Sequence, residues 1–309
     1  MMNNSNISLA LGGGGARGIA HLGVLRVFEE ENIEPSFIAG TSMGAVTGAM
    51  FAYYRDTKEV EKRIVNLVNS DFMHKAGLDI YATSKMPLQK KKLEYALGRL
   101  RQNMQLTRVF TRPGRIRVEL LLEAMEILID DILIEELSIP FCAVATDLHK
   151  GKPVLFRSGP VRNAITASAA IPGVFTPYEY NGMKLVDGGA TYLTPVPPAK
   201  EFGVAPVVAV DVSKSIEDIP YPDRGYGVFF RSGDIALSNY NMMLLEQADV
   251  VIRPDVASVN WADFYSYEEL AEKGYIATRA KLADIKAIVQ KESSFFQRWW
   301  RRRKQASTV

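Results

Sequence analysis

An uncharged run of twenty residues, 35–54 (PSFIAGTSMGAVTGAMFAYY), constrains this chain more than any other stretch. Sequence this apolar has to leave water, either in a protein core or in a membrane. Its centre, Gly40-Thr41-Ser42-Met43-Gly44, spells G-x-S-x-G. Residues 36–39 read as a short buried strand, and the Ala, Met and Phe residues beyond Gly44 read as a helix. A strand that turns sharply into a helix holds its turn residue in strained geometry with the side chain pointing out. Gly40 and Gly44 remove the Cβ atoms that would collide across the turn. The Ser42 hydroxyl then sits at a helix N-terminus, which favours negative charge, as a serine nucleophile requires. Gly40, Gly44 and Gly48 also form two overlapping G-x-x-x-G patterns, a feature of packed membrane helices. The leading proline and the Gly-Thr-Ser break favour the strand–turn–helix reading over a span.

A second glycine turn precedes the first. Residues 7–11 (ISLAL) read as a strand, followed by Gly12-Gly13-Gly14-Gly15-Ala16-Arg17-Gly18 and a helix over residues 19–31. Such a turn is an anion-binding nest. Gly13, Gly15 and Gly18 satisfy G-x-G-x-x-G, so dinucleotide binding competes for it. That function wants an acid at the end of the next strand to hold a ribose, and here Ala39-Gly40-Thr41-Ser42 stands there instead. The alternative, an oxyanion hole for acyl transfer, is favoured, because adjacent glycines let backbone N–H groups approach a developing charge.

Further along, residues 139–146, 206–212 and 248–253 read as buried strands, and 160–169, 226–247 and 266–291 as helices. Asn181-Gly182 marks a hairpin over 178–185. It is followed at once by Asp187-Gly188-Gly189, where the carboxylate either points into a shared site or serves as an ordinary Asp-Gly turn. Strands alternating with helices imply a mainly parallel sheet covered on both faces. With 309 residues and no convincing linker, the chain fits one large domain or two small ones.

Charge is uneven. Residues 85–117 carry ten Lys or Arg and one acid, Glu94, and residues 295–304 carry five basic residues beside four aromatics. The first segment reads either as a solvated helical face or as a basic cap over the site that touches anionic headgroups. The tail reads either as a partnerless extension or as a membrane-contacting segment. Sparse aromatics and no recognition motif argue against nucleic acid. The single Cys142, in an apolar run, the polar residues 1–6 and the short apolar stretch after them suit a cytoplasmic protein, peripheral on the inner face of the membrane. The three scattered histidines and one cysteine have no zinc-binding spacing.

Four blocks together carry a resemblance: GGGGARG at residues 12–18, GTSMG at 40–44, ASAAIP at 167–172 and DGG at 187–189. In this order and spacing they resemble the patatin-like phospholipases of bacteria. The resemblance implies a three-layer α/β/α sandwich with a mainly parallel central sheet and a helical cap insertion. It implies a Ser–Asp dyad of Ser42 as nucleophile and Asp187 as base. Gly13, Gly14 and Gly15 would form the oxyanion hole, with Arg17, Gly40, Gly44, Gly188 and Gly189 in support and no metal or cofactor. No histidine lies near Asp187, so a triad is not available. His21 reads as a packing residue, with a site role as the alternative. The expected organisation is a catalytic domain over residues 7–212 with a cap at 84–117, an α/β extension over 213–292 packed on it, and a basic-aromatic tail at 293–309. The expected substrate is a phospholipid or lysophospholipid at an anionic membrane surface. A soluble carboxylesterase or thioesterase, a membrane-associated adaptor with vestigial hydrolysis and, more remotely, a nucleotide-dependent oxidoreductase are the alternatives.

Overall fold

The computed structural model describes residues 7–78, 114–203, 206–218 and 225–306, with side chains described as far as residue 290. The basic segment 84–117 lies outside this description apart from its last four residues, as do the side chains of the tail.

Eight strands form one mixed sheet: β1 (Ile7–Leu11), β2 (Pro35–Thr41), β3 (Phe141–Asp147), β4 (Lys152–Phe156), β5 (Tyr178–Tyr180), β6 (Met183–Asp187), β7 (Val207–Val210) and β8 (Val250–Ile252). Five of them, in the order β3-β2-β1-β7-β8, run parallel; β4, β5 and β6 add antiparallel pairs at the β3 end. The hairpin turn between β5 and β6 places Asn181 and Gly182 at φ 49° and 76°, the left-handed geometry that this residue pair accommodates.

Side-chain alternation divides the interior into two cores. Ala10, Ala39, Cys142 and Ala209 face one side, where the helix α7 (Val196–Phe202) and Leu245 of α8 (Gly225–Leu245) cover them. Leu9, Leu11, Ile38, Val208 and Val210 face the other. That side is covered by α1 (Ala20–Glu30), α2 (Met43–Tyr54), α3 (Thr57–Val68), α5 (Val118–Leu128), α6 (Val161–Ala169) and α9 (Tyr267–Ala306). The short α4 (Asp71–Lys75) adds Phe72 and Met73. The result is a three-layer α/β/α sandwich. Burial raises the Cys142 thiol pKa to about 12, which leaves it an inert core residue.

The uncharged run 35–54 is therefore a core strand and a core helix. Every residue of α2 from Met43 to Ala52 is buried, which is why it shows no amphipathic stripe. Among the described residues no helix is long and apolar enough to cross a membrane. The helix expected at 266–291 runs on to Ala306. β8 pairs with β7, so chain beyond residue 212 completes the same sheet.

α9 is docked on α1 by two glycines that face each other's helix. A Cβ on Gly23 would lie 1.8 Å from the Ala271 carbonyl oxygen, and one on Gly274 would lie 1.9 Å from that of Ala20. The two backbones touch directly there. Beyond this contact, Arg279 and Lys286 of α9 pair with Glu30 and Glu31. Gly23→Ala or Gly274→Ala should each cost at least ~1–3 kcal/mol by forcing the helices apart. Gly233→Ala, in α8 with open space around it, should be neutral or stabilise by up to ~1 kcal/mol. Thermal denaturation of the three variants checks the contrast.

Candidate active site

Ser42 ends the β2 strand and precedes α2 with φ 55° and ψ −127°, a conformation that costs a non-glycine residue of the order of 1–3 kcal/mol. What holds it there is close backbone contact. A Cβ on Gly44 would lie 2.1 Å from the Leu11 carbonyl oxygen, and one on Gly40 would lie 2.4 Å from Ala45 Cα. Ser168, on α6, supports the same turn: its Oγ accepts from the Ser42 N–H at 2.9 Å and donates to the Val144 carbonyl at 2.6 Å. Thr41 Oγ1 donates to the Tyr192 carbonyl at 2.7 Å. Ser168 lies within the ASAAIP block, yet no single residue there announces the contact, because its partners come from two other strands.

Strand β3 explains how Asp187 meets Ser42. β4 pairs along β3 from Ala143 to Asp147, which occupies one edge. β2 and β6 must then share the other edge, end to end, and they do so on consecutive residues: Thr41 opposite Val144 and Asp187 opposite Ala145. β2 runs parallel to β3 and β6 antiparallel, so the end of each strand arrives at the same point. There the Ser42 side chain faces the Asp187 carboxylate and acts to lower its pKa. Asp187 Oδ1 accepts from the Gly189 N–H at 2.7 Å, and Gly188 packs so closely that a Cβ would lie 2.1 Å from the Val144 carbonyl oxygen. Asp187 is only 7% exposed. Burial raises its pKa to about 6, and the Ser42 side chain and the Gly189 N–H oppose the rise.

The glycine turn lies alongside, and a Cβ on Gly13 would lie 3.1 Å from Ser42 Cβ. Its donors are not equivalent. The Gly13 N–H donates to the Leu193 carbonyl at 2.8 Å. Ala16 N–H is bonded to the Trp261 carbonyl. Gly14 and Gly15 N–H make no backbone hydrogen bond among the described residues and remain available, with Gly15 at φ 58°. The N–H of Met43, at the start of α2, has no acceptor within its helix either.

Arg17 and His21 shape the turn from behind. Arg17 Nε donates to the Gly14 carbonyl at 3.2 Å; burial lowers its pKa and the nearby Asp211 carboxylate pulls it back up. His21 is fully buried and its Nε2 donates to the Gly12 carbonyl at 2.7 Å. Burial lowers its pKa to about 4, so it is neutral near pH 7 and tethers the turn.

Two cavities meet at this point. A narrow apolar one of about 60 Å³ runs from Ser42 and Gly15 between Val46, Leu67, Phe72, Met125 and Phe175. A wider one of about 540 Å³ is bordered by Gly13, Gly14, Arg17, Lys214, Ser238 and Asn260. Trp261 borders both. The arrangement therefore combines a hydroxyl beside a buried carboxylate, backbone donors without a backbone partner and an apolar slot, the parts that acyl transfer needs.

Residues 9–200 match the family model described as patatin-like phospholipase, and the chain belongs to that family. An NTE family protein of Mycobacterium bovis is 37% identical over 212 residues, covering 68% of this chain and 49% of the relative. Lysophospholipase NTE1 of Cryptococcus neoformans var. neoformans is 30% identical over 224 residues, covering 72% of this chain and 12% of that protein. The chain spans about half the length of the mycobacterial relatives it matches. Among solved structures, VipD from Legionella pneumophila aligns over 92% of this chain and 67% of its own, with 16% identity and a TM-score of 0.49.

The buried carboxylate has a consequence for stability. A raised pKa in the folded state favours the protonated form, so its contribution is full below the unfolded value near 4 and is lost as pH rises through about 6. At neutral pH the ionised group costs on the order of 3 kcal/mol. Asp187→Asn should therefore raise Tm at pH 7.5 and leave it nearly unchanged at pH 4, as read by thermal melts across that range.

Proposed function

We propose that the chain is a lipid acyl hydrolase in which Ser42 is the nucleophile and Asp187 the base. The observation that carries this reading is the convergence of β2 and β6 on consecutive residues of β3, which brings a strained Ser42 to a buried Asp187 carboxylate beside an apolar cavity that Ser42 lines. The family membership supports the lipid substrate.

In the first step Ser42 Oγ attacks the ester carbonyl carbon while its proton passes to Asp187. The carbonyl oxygen becomes an oxyanion facing the Gly14 and Gly15 N–H groups and the N-terminus of α2. The intermediate collapses, the C–O bond to the alcohol breaks, and Asp187 returns the proton to the leaving oxygen. In the second step water attacks the acyl-enzyme and gives its proton to Asp187. Collapse breaks the bond from the acyl carbon to Ser42 Oγ, Asp187 returns the proton to that oxygen, and the fatty acid leaves. A carboxylate of ordinary pKa near 4 is a weak base for a hydroxyl; raising it to about 6 strengthens it while leaving it ionised at pH 7. The apolar cavity takes the acyl chain, and the wider cavity takes the alcohol side of the substrate, a phospholipid or lysophospholipid. The basic segment 84–117 and the tail 293–309 serve as contacts to an anionic membrane surface.

Fatty-acid release from phospholipid vesicles tests the proposal. Wild type should release fatty acid, whereas Ser42→Ala and Asp187→Asn should each lose at least ~10³-fold in kcat/KM. Full activity in Asp187→Asn would overturn the dyad. Cleavage of short soluble esters without release from vesicles would replace the lipid hydrolase with a soluble carboxylesterase. The pH dependence has a stated sign: Asp187 acts ionised, so kcat/KM should fall about tenfold per pH unit below about 6.

A further inference from the structure

Helix α8 carries an apolar face that is exposed and uncovered by the other described residues. Val228, Phe229, Ile235, Tyr240, Met242 and Met243 are all exposed, Phe229 by 75% and Met243 by 63%. At 100° per residue these six fall on one side of the helix, together with Ser232, Ala236 and Asn239. No charged residue lies on that side. The last turn of the opposite side holds the helix in place, with Leu244 and Leu245 buried and Asn241 Oδ1 accepting from the Thr194 N–H at 3.0 Å, while Phe230 and Asp234 further up that side are exposed. Monomeric proteins rarely leave such a face in water, and one of this kind marks a docking surface.

We propose that the outer face of α8 inserts into the surface of a lipid bilayer and seats the active site over it. The proposal rests on the lipid acyl hydrolase reading above. Two observations favour lipid over another protein. First, α8 is itself a wall of the site: Asp234, Leu237 and Ser238 border the wide cavity beside Gly13 and Gly14. A bilayer on the outer face therefore lies next to the cavity that must admit its lipids. Second, Lys214 borders both that cavity and a further cleft of about 350 Å³ lined also by Asp211, Asn241 and Met242, and it has no ion pair among the described residues. A cation beside a charge-free apolar ridge complements a phosphate headgroup beside its acyl chains. Aromatic and Met side chains on the ridge reach the headgroup–acyl boundary.

The test uses the full chain in a Ser42→Ala background, so that binding is read without hydrolysis. Partition onto phosphatidylglycerol–phosphatidylcholine vesicles is measured by flotation, with and without Phe229→Asp and Met243→Asp together. The expected result is a loss of at least tenfold in partitioning. With Ser42 intact, the same two substitutions should leave turnover of a short soluble ester unchanged. As a second readout, Phe229→Cys carrying an environment-sensitive fluorophore should brighten and shift to the blue on vesicles, since the native Cys142 is buried and does not label. Equal vesicle binding by the double variant overturns the proposal. So does a concentration-dependent dimer, seen by sedimentation, that the double variant abolishes while vesicle binding persists. Vesicle binding through α8 with no turnover of any ester would leave this inference standing and remove the hydrolase reading instead.

Discussion

The contact between Gly44 and the carbonyl oxygen of Leu11 is the one on which the site depends. It brings the first turn of α2 against the end of β1 with no room for a side chain between them. That approach forces Ser42 into its strained conformation, and it also sets the glycine turn beside the hydroxyl. The strain is tolerable because several independent elements over-determine it: the strand pairing of β2 on both sides, the Ser168 bridge from α6, and the His21 tether on the Gly12 carbonyl.

Burial has opposite consequences for the two titratable groups closest to this turn. It raises the Asp187 pKa, keeping a proton acceptor poised near neutrality, and it lowers the His21 pKa, keeping an imidazole uncharged. The shared cause is a poorly solvated interior in which neither charge is welcome. The histidine answers by staying neutral and serving as a fixed donor. The carboxylate accepts from the Gly189 N–H, and in the proposed mechanism the fold bears the cost of its charge because Asp187 serves as the base.

Much of this was legible in the residues. Buried parallel strands read as unbroken apolar runs, the two glycine turns announce tight strand–helix junctions, and Asn181-Gly182 announces a hairpin. The Ser42 and Asp187 positions follow from those local signals and the family resemblance. What was not legible depends on contacts across the fold. Ser168 acts only because Val144 and Ser42 come to it. The Gly13 N–H donates to the Leu193 carbonyl, which no local pattern reveals. The antiparallel approach of β6 depends on which edge of β3 remains open. The charge-free side of α8 is apolar enough to read as a core face, and only the packed structure leaves it outside.

The shared edge of β3 has a consequence for how this architecture can diversify. Thr41, the residue before Ser42, and Asp187 sit on adjacent rungs of one strand, so the approach of the two strand ends is set by the β-ladder and not by the connecting chain. The connection leaves from the helical side of the sheet and returns through the β5–β6 hairpin. It can therefore gain or lose whole segments, residues 79–113 among them, while Ser42 and Asp187 keep their spacing. A ruler of this sort separates substrate selection, which loops and insertions can alter freely, from chemistry, which they cannot reach.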